Sequence, residues 1–210
     1  MKYKNIIFDF DGVIAESNHV KDEAFYSIFL SYGKEIASYS LNYHLKNRGV
    51  SRFDKVTHVL DHFNLSKDNF QSIVDSFSKI VFKDVCASPL VEGIESFLSN
   101  NYQKYNFYII SATPTEELLA ILKNIKIIQY FKSIYGSPND KKFWLSELIN
   151  SKQIFVDNSL FIGDASSDKN AAKEYLIPFC LRLTGDNNQL IDKDILFCVK
   201  NFNNFDKLIR

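Results

Sequence analysis

Short apolar runs with abrupt polar ends recur along the chain. Tyr3 to Phe8 is the first, a β-rich and nearly all-apolar run followed at once by Asp9. Such a run suits a strand buried on both faces of a parallel sheet. Four similar runs lie much later, at Asn106 to Ile110, Ser133 to Tyr135, Ser159 to Ile162 and Pro178 to Leu183. Each ends at a small, polar or charged residue, and a weaker sixth run spans Ile195 to Val199. Between them, helical patterns mark Val91 to Leu98, Glu116 to Lys123, Lys141 to Ile149 and Asp168 to Tyr175. Strands alternating with helices predict an α/β fold, a doubly wound parallel sheet with right-handed crossovers.

The stretch from Ser17 to Ala87 breaks this rhythm. It contains no convincing strand and reads as helices over Val20 to Tyr32, Ile36 to Lys46, Arg52 to Phe63 and Asp68 to Phe82, with Ser66 a plausible cap before the last. About seventy residues is too long for a structureless crossover loop, so an inserted helical bundle is expected over residues 17–87. Residues 1–16 and 88–210 would form the α/β core. The two connections, Glu16 to Asn18 and Val85 to Pro89, fall beside the carboxyl end of the first strand and suit a hinge.

Composition narrows the partners. With 46% hydrophobic residues and 15% aromatics the chain can bury a core. Twenty-five Lys and Arg balance twenty-five Asp and Glu, so no electrostatic case exists for nucleic acid or an anionic membrane surface. Small solutes are the expected partners, with a monomer or weak homo-oligomer as the expected state. The opening residues reach Asp9 before any signal-peptide hydrophobic region could form, and a soluble cytoplasmic protein is the expectation. Cys86, Cys180 and Cys198 are far apart, which suggests neither a disulfide framework nor a zinc site.

In an open parallel sheet, ligands bind outside the carboxyl ends of the strands. The first strand ends at Asp9 and Asp11, the second at Ser111-Ala112-Thr113, and the fourth at Gly163-Asp164 with Asp168 four residues on. Lys141 and Lys142 follow the third. Several Asp sharing one pocket cannot all ionise without a compensating cation, and their hard oxygens suit Mg²⁺, which also accepts a substrate phosphate oxygen.

These segments resemble the haloacid dehalogenase superfamily, mostly phosphatases and phosphomutases, across the whole chain. Asp9-Phe10-Asp11-Gly12-Val13 looks like its first motif, Ile110-Ser111-Ala112-Thr113 its second, a lysine after Gly136-Ser137-Pro138 its third, and Gly163-Asp164-Ala165-Ser166-Ser167-Asp168 its fourth. The resemblance implies a Rossmann-like core and a helical cap. It further implies that Asp9 is a nucleophile forming an aspartyl-phosphate and Asp11 a general acid and base whose backbone carbonyl also ligates Mg²⁺. Ser111 and the Ala112 amide would hold phosphoryl oxygens, Lys141 would neutralise charge, and Asp164 would complete the metal site. Asp168 would serve as a ligand, directly or through water, that orients the lysine. Simpler readings stand beside these: Ser111 or Asp168 could be helix caps, and Lys141 and Lys142 solvated charges.

The second Asp of the first motif favours phosphoryl transfer over carbon–halogen cleavage, and the expected activity is Mg²⁺-dependent hydrolysis of a small phosphorylated metabolite, a phosphosugar or a phosphoglycolate-like acid. The inserted helices resemble the cap of the phosphoglycolate phosphatase and β-phosphoglucomutase branch. Lys46-Asn47-Arg48-Gly49-Val50-Ser51-Arg52 looks like its specificity loop, which makes Lys21, Lys46, Arg48 and Arg52 the substrate-binding candidates; Ser51 could equally be a plain cap for the helix from Arg52. A mutase is the alternative, weakened by the phosphatase-like fourth motif and by Lys21 where those mutases place a hinge histidine. A phosphonoacetaldehyde hydrolase would need a Schiff-base lysine, for which Lys46 and Lys55 are candidates by location. A non-catalytic binding protein on the same fold is the remaining reading.

Overall fold

The computed structural model describes residues 2–210. Six strands, β1 (Asn5–Phe8), β2 (Asn106–Pro114), β3 (Phe131–Ser137), β4 (Ser159–Gly163), β5 (Phe179–Arg182) and β6 (Phe197–Val199), form one sheet in the order β3-β2-β1-β4-β5-β6, and every pairing is parallel. β1 therefore lies at the centre, with Phe8 level with Ile109 of β2 and Ile162 of β4. All six runs read from the sequence are strands, with shifted ends.

Alternation along each strand sorts the core into two layers. Ile6, Phe8, Phe107, Ile109, Leu160 and Ile162 belong to one apolar cluster, while Ile7, Tyr108, Ile110 and Phe161 belong to the other. Helices α1 (Asn18–Phe29), α2 (Lys34–Lys46), α3 (Arg52–His62) and α4 (Phe70–Ala87) stand between β1 and the rest of the sheet in sequence. They pack on one another, and their buried Phe25, Phe29, Val56, Phe77 and Val81 belong to the first cluster. The remaining helices are α5 (Ile94–Asn101), α6 (Thr115–Asn124), α7 (Lys141–Asn150), α8 (Ser166–Glu174) and the short α9 (Phe205–Leu208).

Helix boundaries shift by a few residues from expectation: α1 is Asn18–Phe29 where Val20 to Tyr32 is read, α5 is Ile94–Asn101 where Val91 to Leu98 is read, and α4 moves at both ends. Ser66 accepts from Asp68 N at 3.2 Å and so caps a short 3₁₀ turn, Lys67–Asn69, and α4 starts only at Phe70. At its other end α4 runs past Phe82 to Ala87, because Val81 and Val85 continue its buried stripe. The two connections lie side by side: Glu16 N donates to Pro89 O at 2.9 Å and Val91 N to Ile14 O at 2.9 Å. Among the described residues no helix is long and apolar enough to cross a membrane, and Cys86, Cys180 and Cys198 are free thiols.

Phe8 is fully buried and meets the rings of Phe97, Phe107, Phe131 and Phe202 at centroid distances of 5.6 to 6.4 Å. Phe8→Ala should therefore lower unfolding stability by about 3–5 kcal/mol in urea titration; a loss under about 1 kcal/mol would contradict this packing.

Candidate active site

The carboxyl ends of β1, β2 and β4 meet the N-termini of α7 and α8 in one cleft beneath the helices α1–α4. Asp9 follows β1 directly and is 4% exposed. Its Oδ1 accepts from Phe10 N at 2.7 Å, and its Oδ2 lies 2.8 Å from Lys141 Nζ. Lys141 opens α7, whose N-cap Asp140 accepts from Phe143 N at 2.8 Å. A cation in the first helical turn opposes the helix dipole. Asp9 and Asp168, both contacting this ammonium, outweigh that opposition. Burial alone would lower the Lys141 pKa, yet the charges of Asp168 and Asp9 hold it above the usual lysine value. Lys142 is half exposed and paired with Glu174, and it contacts neither Asp9 nor Asp168.

Asp168 is fully buried in the first turn of α8, where its Oδ2 accepts from Ala165 N at 3.0 Å while Oδ1 takes Lys141. It is thus both the helix-end acceptor and the partner of the lysine. Asp164, at the end of β4, accepts from Asn18 Nδ2 at 2.7 Å. Gly12 has φ +74°, and a Cβ there would lie 2.3 Å from Asp164 Oδ2, so the turn after Asp11 admits only glycine.

Carboxylate oxygens of Asp9, Asp164 and Asp168 lie within 4.8 Å of one another. Burial, then the charges of Asp168 and Asp11, outweigh Lys141 and push Asp9 up to about 7. Burial and the charges of Asp9 and Asp168 likewise hold Asp164 well above the carboxylate range. The donor set is hard oxygen, buried and under-neutralised, and it fits a small divalent cation such as Mg²⁺.

Asp11 turns its side chain elsewhere. Its carboxylate accepts from Ser17 Oγ at 2.7 Å and Thr113 Oγ1 at 3.2 Å, and contacts Lys21 Nζ. Burial raises its pKa, but Lys21 and these hydrogen bonds win and hold it below the ordinary value. Ser17 occupies the N-cap position of α1 without capping it, its hydroxyl committed to Asp11 instead. Buried Ser111 accepts from Thr113 N at 3.1 Å rather than capping α6, and with Ala112 it faces a neighbouring cavity of about 370 Å³ that also reaches Lys141.

The four expected cap residues divide. Lys21, Arg48 and Arg52 line the cleft, whereas Lys46 is exposed at the end of α2 and is not part of its lining. Arg52 is 4% exposed and engaged: its guanidinium meets Glu117 of α6 at 2.6 and 2.8 Å, bonds Ser78 at 2.6 Å, and lies over the Phe77 ring. Ser51 also caps α3, accepting from Asp54 N at 3.3 Å. From sequence, His44 and Glu117 have no place in this cleft, Asn18 is named only at the hinge, Thr113 only as the end of the second motif, and Lys55 is considered only as a Schiff-base amine. One signal was readable: Arg52 and Lys55 occupy the i and i+3 positions of the stripe completed by Val56, Val59 and Leu60, two cations on an apolar face.

Residues 6–181 match the sequence profile of the haloacid dehalogenase-like hydrolases. The chain belongs to this family. A phosphorylated carbohydrates phosphatase of Thermotoga maritima is 23% identical over 178 residues, which covers 80% of this chain and 79% of that protein. Among solved structures, a predicted phosphoglycolate phosphatase from Haemophilus somnus superposes with a TM-score of 0.78 at 20% identity, covering 100% of this chain and 99% of that one. The hydrolase YfnB of Bacillus subtilis, bound to magnesium, gives 0.72 at 14% identity over 100% and 99%. These likenesses show a shared haloacid dehalogenase fold.

The acid cluster makes a prediction for the metal-free hydrolase. Because Asp9 is raised from 3.8 to about 7, the stability this group contributes is complete below about pH 4 and is lost as pH rises through 7. A divalent cation held by these oxygens would compete with protons for them, so Mg²⁺ should raise the melting temperature more at pH 8 than at pH 5. Equal increments in chelator-controlled melts would contradict the assignment.

Proposed function

We propose that the protein is a Mg²⁺-dependent phosphatase acting on a small phosphorylated metabolite, a phosphosugar or phosphoglycolate-like acid, through an aspartyl-phosphate. One observation carries this reading: Lys141 Nζ joins Asp9 to Asp168, with Asp164 alongside, while the neighbouring Asp11 is held separately by Lys21, Ser17 and Thr113. Two carboxylates two residues apart thus have distinct environments, which suits distinct chemical roles. The Thermotoga maritima relative, a phosphatase of phosphorylated carbohydrates, and the Haemophilus somnus structure support the same class.

Asp9 Oδ1 is fixed by the Phe10 amide and Oδ2 by Lys141, which sets the carboxylate for attack on phosphorus. As the Asp9–phosphorus bond forms, the ester oxygen leaves and takes a proton from Asp11. In the second step Asp11 removes a proton from water, which attacks phosphorus and breaks the bond to Asp9, releasing phosphate and restoring both groups. With Lys21 beside it Asp11 is ionised, the form that activates water; donation to the leaving oxygen requires that contact to open. Ser111 and the Ala112 amide would hold phosphoryl oxygens, and Lys141 would offset charge on the nucleophile and the phosphoryl group. Asp9, Asp164, Asp168 and the Asp11 carbonyl would hold Mg²⁺, whose Lewis acidity offsets phosphate charge when bound.

Residues 17–87 serve in this reading as a cap over the core, hinged where Glu16 and Pro89 pair. Interdomain movement in the magnesium-bound Bacillus subtilis relative supports it. Closure excludes bulk water from the cleft.

Purified protein with Mg²⁺ should release phosphate steadily from p-nitrophenyl phosphate. Asp9→Asn should abolish release, and Asp11→Asn should slow it by about 10²–10⁴-fold. No turnover of any phosphoester, or conversion of β-glucose 1-phosphate into glucose 6-phosphate without phosphate release, would overturn the reading.

A further inference from the structure

Four cations from residues 17–87 line the cleft, and three of them already have carboxylate partners. Lys21 contacts Asp11, Arg48 pairs with Asp22 and Asp186, and Arg52 is bidentate to Glu117. Lys55 differs. It is 3% exposed, and its Nζ lies 2.9 Å from His44 Nδ1 and over the Phe25 ring, with no carboxylate within ion-pair distance among the described residues. Burying an ammonium without a counter-charge is costly, and an ammonium carries three donors, of which His44 takes one.

His44 orients this amine without neutralising it. Its Nε2 lies 2.9 Å from Asp22 Oδ1, so Nε2 carries the proton and Nδ1 is left to accept from Lys55. Burial, against the bond to Asp22, lowers the imidazole to about 4, so it is neutral at physiological pH. A second buried donor in the cleft wall, Arg48 Nε, has no acceptor. The space here is about 40 Å³, room for a group of a few atoms. Asp11, the proton donor to the leaving oxygen, shares the same lining.

We propose that Lys55 Nζ, oriented by the Asp22–His44 pair, is the seat for a second anionic group on the leaving portion of the substrate, so that the preferred substrates are phosphate esters of small anionic alcohols. The inference rests on the phosphatase reading above and gives its substrate class. The anionic group is a carboxylate or a second phosphate, two sources of the same charged oxygens. Burial, aided by the charge of Lys21, lowers Lys55 to about 7, against the pull of Asp11 and Asp22 and with Arg48 adding to the lowering. His44 faces it neutral and Arg52 is neutralised by Glu117, so a bound anion is the group that restores the full charge of the amine.

The test compares wild type with Lys55→Met on 2-phosphoglycolate for the carboxylate, fructose 1,6-bisphosphate for the second phosphate, and p-nitrophenyl phosphate for an uncharged leaving group. For one of the two anionic esters, the ratio of its KM to that for p-nitrophenyl phosphate should rise about 10–100-fold, the value of a charge-assisted hydrogen bond, and the ester affected identifies the anion. Lys55→Met should melt no lower than wild type, since it removes a buried unpaired charge. Binding of the same esters to Asp9→Asn with and without Lys55→Met gives a readout independent of turnover. If wild type releases no phosphate, the phosphatase reading fails while binding still decides the seat. Ratios and affinities that move equally for all three esters overturn the seat. Borohydride trapping of an aldehyde-bearing phosphonate on Lys55 would also overturn it, by assigning the amine to imine chemistry.

Discussion

The ammonium of Lys141 between Asp9 and Asp168 is the contact on which the rest of the site depends. At an effective dielectric near 20, two carboxylates less than 5 Å apart repel by on the order of 3–4 kcal/mol. Were all three ionised, three such pairs would approach the whole net stability of a domain, about 5–15 kcal/mol, which is why Asp9 and Asp164 are held above the carboxylate range. Parallel strand order creates the crowding, since β1 lies beside β4 with Phe8 level with Ile162, so Asp9 and Asp164 leave the sheet next to each other and α8 brings in Asp168. The crossover after β3 answers it by placing the first turn of α7 where one lysine reaches Asp9 and Asp168. A single cation leaves the cluster short of positive charge, the condition that suits it to a second one under the proposed function.

Packing decides what lies above that cluster. The first apolar layer runs without a break from Phe8 and Phe107 into Phe25, Phe77 and Val81. Helices α1–α4 thus share the apolar cluster of this sheet face, with α4 packed against α6, and the cleft is a polar seam beside that contact. Gly49, with φ +77°, brings the loop after α2 so close to α8 that a Cβ would lie 1.9 Å from Ser167 Oγ. Ser167 also donates to Arg48 O at 3.3 Å. This contact forms one wall of the cavity of about 370 Å³ that reaches Ser111 and Lys141.

Much of this was legible because it is local. Strand runs declare themselves by apolar composition, and the polar residue ending each run marks the ligand edge of a parallel sheet, so Asp9, Asp11, Ser111, Lys141, Asp164 and Asp168 could be placed in one cleft before any coordinates. The choice between Lys141 and Lys142 was not settled by pattern, because it depends on the rotation of α7 fixed by its Asp140 cap. Pairings across long sequence separations were invisible. Arg52 with Glu117 spans 65 positions and Arg48 with Asp186 spans 138, and no periodicity links them. Lys46, beside the specificity-loop motif in sequence, faces solvent because it sits on the outer side of the last turn of α2.

The Arg52–Glu117 pair changes how the lid should be counted. By sequence it supplies the residue best shaped to grip an anion, yet the two terminal nitrogens of Arg52 are bound to a carboxylate belonging to α6, outside all four motifs. What the cleft offers a visitor is therefore decided by bookkeeping between the two halves of the molecule, not by the number of basic residues in the loop. Under the proposed function Glu117 would be a resident competitor for Arg52, and a protein of this architecture could acquire a new taste in substrates by altering an acid on α6 while residues 17–87 stay untouched.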